Sequence, residues 1–453
     1  MVMGSVMHAQ VKKRERTMTS GMTRRNTLGL IGAATLAAAL MTSTATFAQS
    51  KGSITVSAVS SFKLIETLVP EFTAETGIAV DLQILPYDQL RQRSIADFVS
   101  GTANSDVYAQ DIVWLGEWSK NAYVRPLDDL IARDIPQEDL KDVLPGAFDA
   151  VSKQGGKTWS FPVTATYFLM YYRTDLFKQA GLEEPVTFAD INSAAEKLTA
   201  KDKNQFGIDM PYKRGESFAT WFLAAYAGAG GKILKDVPND FTPTLDSPAA
   251  AQVLKNYIGW LKSAPNGAIG HDRPEQTIAM QTGRIAMAAT FSVNGTEFVK
   301  PEVSSVAGKV GYTTMPRLDA SQKPVYPFGG FGMAINAKTE KVENSWAFIK
   351  WLSSAKIQTK LALLNGTPMR YSALRDAAVQ AKYPWMPVVD KAEQAGQVSP
   401  DFRPRYPFWP QIVEALGLQL NSAALGTVTP EEALKTANEQ IRKAIVAAGY
   451  PVK

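Results

Sequence analysis

The sequence predicts an α/β fold in two lobes. Strand-like and helix-like periods alternate along the whole chain, the 453 residues exceed what a single hydrophobic core organises, and the absence of cysteine leaves core packing alone to hold the fold.

The first 48 residues read as an export segment. Arg24-Arg25 precede an uncharged apolar run, Leu28 to Leu40, and small residues lead to Ala45-Thr46-Phe47-Ala48. Cleavage is expected near Ala48, and the run is too short for a comfortable membrane span. Thr23-Arg24-Arg25-Asn26-Thr27-Leu28 resembles a twin-arginine export signal, although Thr27 stands where a large apolar residue is usual, so the export route stays open. This segment holds Lys12, Lys13, Arg14, Arg16, Arg24 and Arg25 against Glu15 alone, and it accounts for the whole formal charge of +5. A chain starting at Gln49 carries 42 charges of each sign, so the electrostatic footprint of a nucleic-acid binder is missing.

From Ser53 the elements follow in order. Ser53–Ala58 alternates as a strand; Phe62–Thr76 has helical spacing at Leu64, Ile65, Leu68, Val69 and Phe72 before Gly77 stops it; Ile78–Ile84 is a second strand. This strand–helix–strand unit seeds a parallel sheet, and Ser105–Val113 supplies its next strand. Tyr167–Tyr172 and Gly332–Asn336 read as strands. Phe188–Thr199, Phe218–Ala227, Ala249–Lys262, Glu343–Leu352, a segment from about Gln411, and Pro430–Ala447 behind an N-cap at Thr429 read as helices. His271 is the sole imidazole after the export segment, so a serine–histidine–carboxylate triad would have to use it.

Phrases spread across the chain resemble the extracellular solute-binding proteins of ABC importers, the carbohydrate-binding family that includes maltose-binding protein. They include PEFTAETGIAVDL from Pro70, DIVWLGEWSKNAYVRPLDDL from Asp111, GKTWSFPVTATYFLMYYRTDLFKQAGL from Gly156, QTIAMQTGRIAMAATF from Gln276, FGGFGMAINAKTEKVENSWAFIKWL from Phe328 and GTPMRYSAL from Gly366. The resemblance implies a type II-like periplasmic-binding-protein fold with discontinuous lobes, 49–163 plus 330–385 and 164–329 plus 386–453. The chain would cross between them near Pro162, Phe328 and Tyr383, and closure about that hinge would trap a ligand. It implies a monomeric periplasmic receptor that catalyses nothing, needs no cofactor, captures a sugar or polyol and delivers it to a pair of permease subunits.

Ligands of open α/β sheets bind beyond the carboxyl ends of strands, and a sugar site combines aromatic rings with a few planar polar groups. The candidates after the first three strands are Ser60, Phe62, Tyr87, Gln89, Asp111 and Trp114, with a helix-cap role for Asp111 as the alternative. Tyr167 lies at the first crossover, Trp221 on a helix as cleft wall or core, and Phe291 followed by Asn294 where many relatives have tryptophan. Gly329 and Gly330 offer close approach to backbone or a tight turn. Arg370 matches a recurrent family arginine that forks onto hydroxyls, with a structural ion pair as the alternative. Trp409 sits in the proline-rich RPRYPFWP, suited to a cleft rim or to a surface plug.

Three other readings stay open. Asp111 and Glu117 could be cast as a glycosidase carboxylate pair. Asp106, Asp111 and Glu117 could serve a polyamine receptor of the same fold. Tyr171-Tyr172 resembles the tyrosine pair of ferric-ion receptors, although strand alternation turns such neighbours to opposite faces and no metal-ligand cluster accompanies them.

Overall fold

The structure is a computed structural model that describes residues 51–453; the export segment expected over residues 1–48, and the cleavage expected near Ala48, lie outside the described residues. Gln49–Lys453 forms one compact unit.

Three parallel strands open it: β1 (Ser53–Val59), β2 (Ala79–Leu85) and β3 (Val107–Asp111). β1 lies between the other two, in register from Ser53↔Ala79 to Val59↔Leu85 and at Val56↔Val107. Ile54, Val56 and Ala58 of β1 are fully buried, as the alternation requires. The single helix expected over Phe62–Thr76 is instead a 3₁₀ segment, Ser60–Thr67, followed by an α-helix, Val69–Thr76. Pro70 explains the break: it lacks an N–H and suits the first turn of a helix, so it starts a new one. Gly77, at φ +75°, ends it.

Apart from one short parallel pairing, Tyr326↔Val398, the rest of the sheet is antiparallel, which corrects the expectation of a parallel one. β4 (Phe161–Arg173) runs far beyond the expected Tyr167–Tyr172, and is followed by β5 (Met287–Phe291), β6 (Val310–Thr313) and β7 (Tyr326–Ile335). The order is β6-β4-β7-β3-β1-β2, with β5 also on β4 and a two-residue strand, β8 (Val398–Ser399), on β7. β4 changes partners along its length. Phe161–Tyr167 pairs with β7, whereas Phe168–Tyr172 pairs with β5 and Met170–Arg173 with β6.

Pro162 and Phe328, expected crossing points, thus lie inside paired strands. Gly329-Gly330 is strand, not turn, and neither residue has positive φ. A Cβ on Gly330 would fall 2.3 Å from the Thr164 carbonyl oxygen, so this glycine admits its own strand partner's backbone.

Three helices matter for the site: Glu216–Gly228, Arg273–Gln281 and Trp409–Ala424. The second begins with a capping box in which Asp272 and Glu275 satisfy each other's backbone N–H groups; Thr429 and Glu432 do the same for the terminal helix, Pro430–Ala447. Among the described residues no helix is long and apolar enough to cross a membrane.

Candidate functional site

A cavity of about 670 Å³ opens at the carboxyl ends of β1, β2 and β3 and faces the first turns of the helices Glu216–Gly228 and Arg273–Gln281. A second chamber of about 330 Å³ adjoins it, sharing Tyr87, Glu216, Ser217, Asp272 and Arg273. The parallel strands place the site: each ends at one edge and hands its next residues to that edge.

Asp111, the last residue of β3, is 4 % exposed. One carboxylate oxygen accepts from Val113 N at 3.3 Å, which caps the 3₁₀ turn Ile112–Trp114, and the other accepts from the Tyr87 hydroxyl at 3.0 Å. Asp111 therefore caps a turn and also lines the cavity. Burial first, and then the Asp111 charge, push the Tyr87 phenol well above its ordinary range, so it stays a donor.

Arg403 completes the polar centre. Its guanidinium is buried, with one terminal nitrogen 3.6 Å from Asp111 Oδ1 and the other 3.8 Å from Glu216 Oε1. Both distances exceed a hydrogen bond, and the buried Nε has no partner. The guanidinium lies over the rings of Phe291 and Phe402, 5.4 Å from each centroid. Glu216 accepts from Thr220 Oγ1 at 3.1 Å. Desolvation raises the Glu216 carboxyl above the ordinary range and Arg403 opposes the rise, although 24 % of the side chain still meets solvent. Chemically the centre offers two carboxylate acceptors around a guanidinium whose hydrogen-bonding capacity is largely unspent.

Of the residues singled out in the sequence, Ser60, Tyr87, Asp111, Trp221, Phe291, Asn294 and Gly330 line the main cavity, and Trp114 and Trp409 line the adjoining chamber. Trp221 is nearly all core: it is 1 % exposed and its indole N–H donates to the Ala289 carbonyl at 2.6 Å. Asn294 donates to Thr290 Oγ1 at 3.1 Å.

The others lie elsewhere. Phe62 is buried beneath the cavity floor, edge-on to Phe331 at 5.6 Å, because the 3₁₀ turn after β1 folds it inward. Gln89 is exposed on the helix Tyr87–Ser100 and lines neither chamber. Tyr167 points away, its hydroxyl donating to Glu393 at 2.6 Å. Gly329 lies close against Phe291 and Arg403 and lines neither chamber. Arg370 is 1 % exposed and far from free: it grips Asp139 with two 2.9 Å bonds and donates to the Ser353 carbonyl at 2.6 Å. The structural ion pair is what the fold makes of it.

The rival carboxylate sets come apart as well. Glu117 is bound to Arg91 at 2.6 Å, and Asp106 to Lys341 at 3.2 Å and to the Thr55 backbone N–H. Tyr171 is fully buried against Phe298 and Trp385 while Tyr172 packs on Phe177, on opposite faces of β4. No group of three or more His, Cys, Asp or Glu among the described residues is placed to hold a metal ion.

Sequence reasoning missed Arg403, Glu216, Arg273, Thr166 and Phe331. Two signals were within reach. Arg403 opens the proline-rich loop that drew attention to Trp409, and Glu216 occupies the first turn of the helix that carries Trp221.

A sequence profile for bacterial extracellular solute-binding proteins matches residues 57–359, well over half of the chain. A solute-binding protein of an ABC transporter from Agrobacterium radiobacter K84, solved with ribitol, superposes with a TM-score of 0.81 at 34 % identity, over 87 % of this chain and 98 % of that one. A mannitol-binding protein of Pseudomonas aeruginosa is 25 % identical over 83 % of this chain and 88 % of its own length. A probable amino-acid ABC transporter periplasmic-binding protein of Sinorhizobium fredii is 26 % identical over 86 % and 88 %. The mixed sheet, the cavity at the strand ends and these likenesses agree: the chain belongs to the family of bacterial extracellular solute-binding proteins, with their two-lobed fold, and is a receptor and not an enzyme.

Proposed function

We propose that the protein captures a sugar or polyol and delivers it to the membrane permease of an ABC importer. The observation that carries this is Arg403, desolvated between Asp111 and Glu216 with its hydrogen bonds unmade. A buried donor without an acceptor costs about 1–3 kcal/mol, a cost that a hydroxylated ligand would relieve. Hydroxyls both donate and accept, so one ligand can serve the carboxylates and the guanidinium together. The ribitol complex of the 34 % identical relative and the mannitol-binding relative support this ligand class.

The same reading divides the chain into lobes 49–163 plus 330–385 and 164–329 plus 386–453, which close on the ligand. Loops from β1, β2 and β3 would supply one wall and the helices Glu216–Gly228 and Arg273–Gln281 the other. Ligand contact with both would stabilise the closed state by differential affinity. The protein would work as a monomer in the periplasm after cleavage near Ala48, and the partner would be a pair of permease subunits.

A thermal-shift screen against sugars, polyols, amino acids, polyamines and ferric ion tests this. A true ligand at 100 times its Kd adds about 2.7 kcal/mol of stability. A rise with sugars or polyols is the expected result; a rise confined to amino acids, polyamines or iron overturns the assignment.

A further inference from the structure

We propose that this cavity selects acyclic polyols over cyclic sugars, and that a self-occupied aromatic plate, Phe291 under Arg403 with Gly329 close against both, sets the selection. The inference rests on the sugar-or-polyol reading and narrows it.

A ring sugar presents a locally apolar C–H face, and proteins hold that face on an accessible aromatic ring. Six aromatic rings line the two chambers, but four of them are closed: Trp114 and Trp221 are 1 % exposed, Trp409 2 % and Phe291 9 %. Phe291 already carries the Arg403 guanidinium 5.4 Å from its centroid, and Phe168 and Trp221 pack edge-on against it at 4.6 and 5.8 Å. The chain's own cation occupies the stacking position. Of the remaining rings, Tyr87 leans on Trp114 with its hydroxyl tied to Asp111, and Phe331 is wedged between Phe62 and Trp114.

In place of a plate the cavity offers a row of acceptor, donor and acceptor: Asp111, Arg403 and Glu216, with gaps of 3.6 and 3.8 Å. Neighbouring hydroxyls on an extended carbon chain each donate and accept, and free rotation lets them follow such a row. A closed ring fixes its hydroxyls outward from a face that finds here only the partly exposed rings of Tyr87 and Phe331, both already engaged by neighbouring aromatics.

Gly329 makes the arrangement possible. A Cβ there would stand 2.9 Å from Arg403 Nη2 and 3.0 Å from Phe291 Cε1, so any side chain would displace the pair from its present position. Gly329 is a positioning residue.

Calorimetry of the protein with pairs matched in carbon skeleton tests this: ribitol with ribose, mannitol with mannose, glucitol with glucose. At least one alditol should bind about tenfold or more tightly than its cyclic partner. Cyclic partners binding as tightly, or an oligosaccharide binding where all alditols fail, overturns the selection and leaves the broader reading standing; silence toward every sugar and polyol overturns both. Gly329→Ala should weaken alditol binding about tenfold with the melting temperature little changed, the loss of roughly one charge-assisted contact. Unchanged affinity removes its positioning role. Arg403→Lys keeps the charge but not the planar cover, and should narrow the alditol-to-sugar ratio; an unchanged ratio overturns the part given to Arg403, whatever happens to absolute affinity.

Discussion

Arg370 and Arg403 are both buried arginines, and they differ in what surrounds them. Arg370 makes a two-pronged bond to Asp139 and a further bond to a backbone carbonyl. Arg403 stops short of both its carboxylates and leaves Nε without a partner. Burial alone thus says little about role. A guanidinium whose donors are spent holds the fold, whereas one whose donors are unspent beside a cavity is held ready for something else.

The largest expected effect breaks the pair on the structural side. Arg370→Ala strands the Asp139 carboxylate and empties a buried position, and should lower unfolding stability by about 3 kcal/mol in denaturant melts while the folded fraction keeps its ligand affinity. Arg403→Ala should do the reverse: ligand affinity falls by about 2 kcal/mol in calorimetry, and stability changes by no more than about 1 kcal/mol because the ion pairs lost were already incomplete. If Arg370→Ala weakened binding in the folded fraction, or Arg403→Ala mainly unfolded the protein, the contrast would collapse. Asp111→Asn keeps an acceptor for Tyr87 but removes the charge, and should cost binding about 1 kcal/mol.

The smallest effect sits behind the cavity wall. His271 Nδ1 lies 2.8 Å from Asp209, and His271 O accepts from Tyr212 N and Lys213 N, just before Glu216. The Asp209 hydrogen bond raises the His271 pKa above its ordinary value, whereas burial raises the Asp209 carboxyl despite His271. The short contact favours an ion pair, so the histidine direction is the one that governs. A raised histidine contributes stability fully below about pH 6.5, and that contribution is lost as pH rises through its folded pKa. His271→Gln should therefore destabilise more at about pH 6 than at about pH 8 in thermal melts. Equal destabilisation at both would show that the pair is not ionised.

Much of the fold was legible because it follows from period and punctuation. The β1–β2 unit, the capped terminal helix and the core faces of the helices are local patterns, set by which side chains face inward and by where proline and glycine interrupt. The antiparallel half of the sheet was not legible. Which strand lies beside β4 is decided by pairing between residues more than a hundred positions apart, such as Tyr167 and Phe328.

The site divides in the same way. Tyr87 and Asp111 were visible from sequence because strand ends announce themselves, and parallel strands deliver their ends to one edge. The resemblance pointed to Arg370 and passed over Arg403, because the number of acceptors within bonding distance of a guanidinium is a property of three-dimensional neighbours. The sequence by itself determined the class of fold and the edge of the sheet where the cavity opens, because these rest on local periodicity and composition. Only the tertiary structure decided which arginine reaches the cavity and that Phe291 is already covered, because both depend on distances of a few ångströms between segments far apart in the chain.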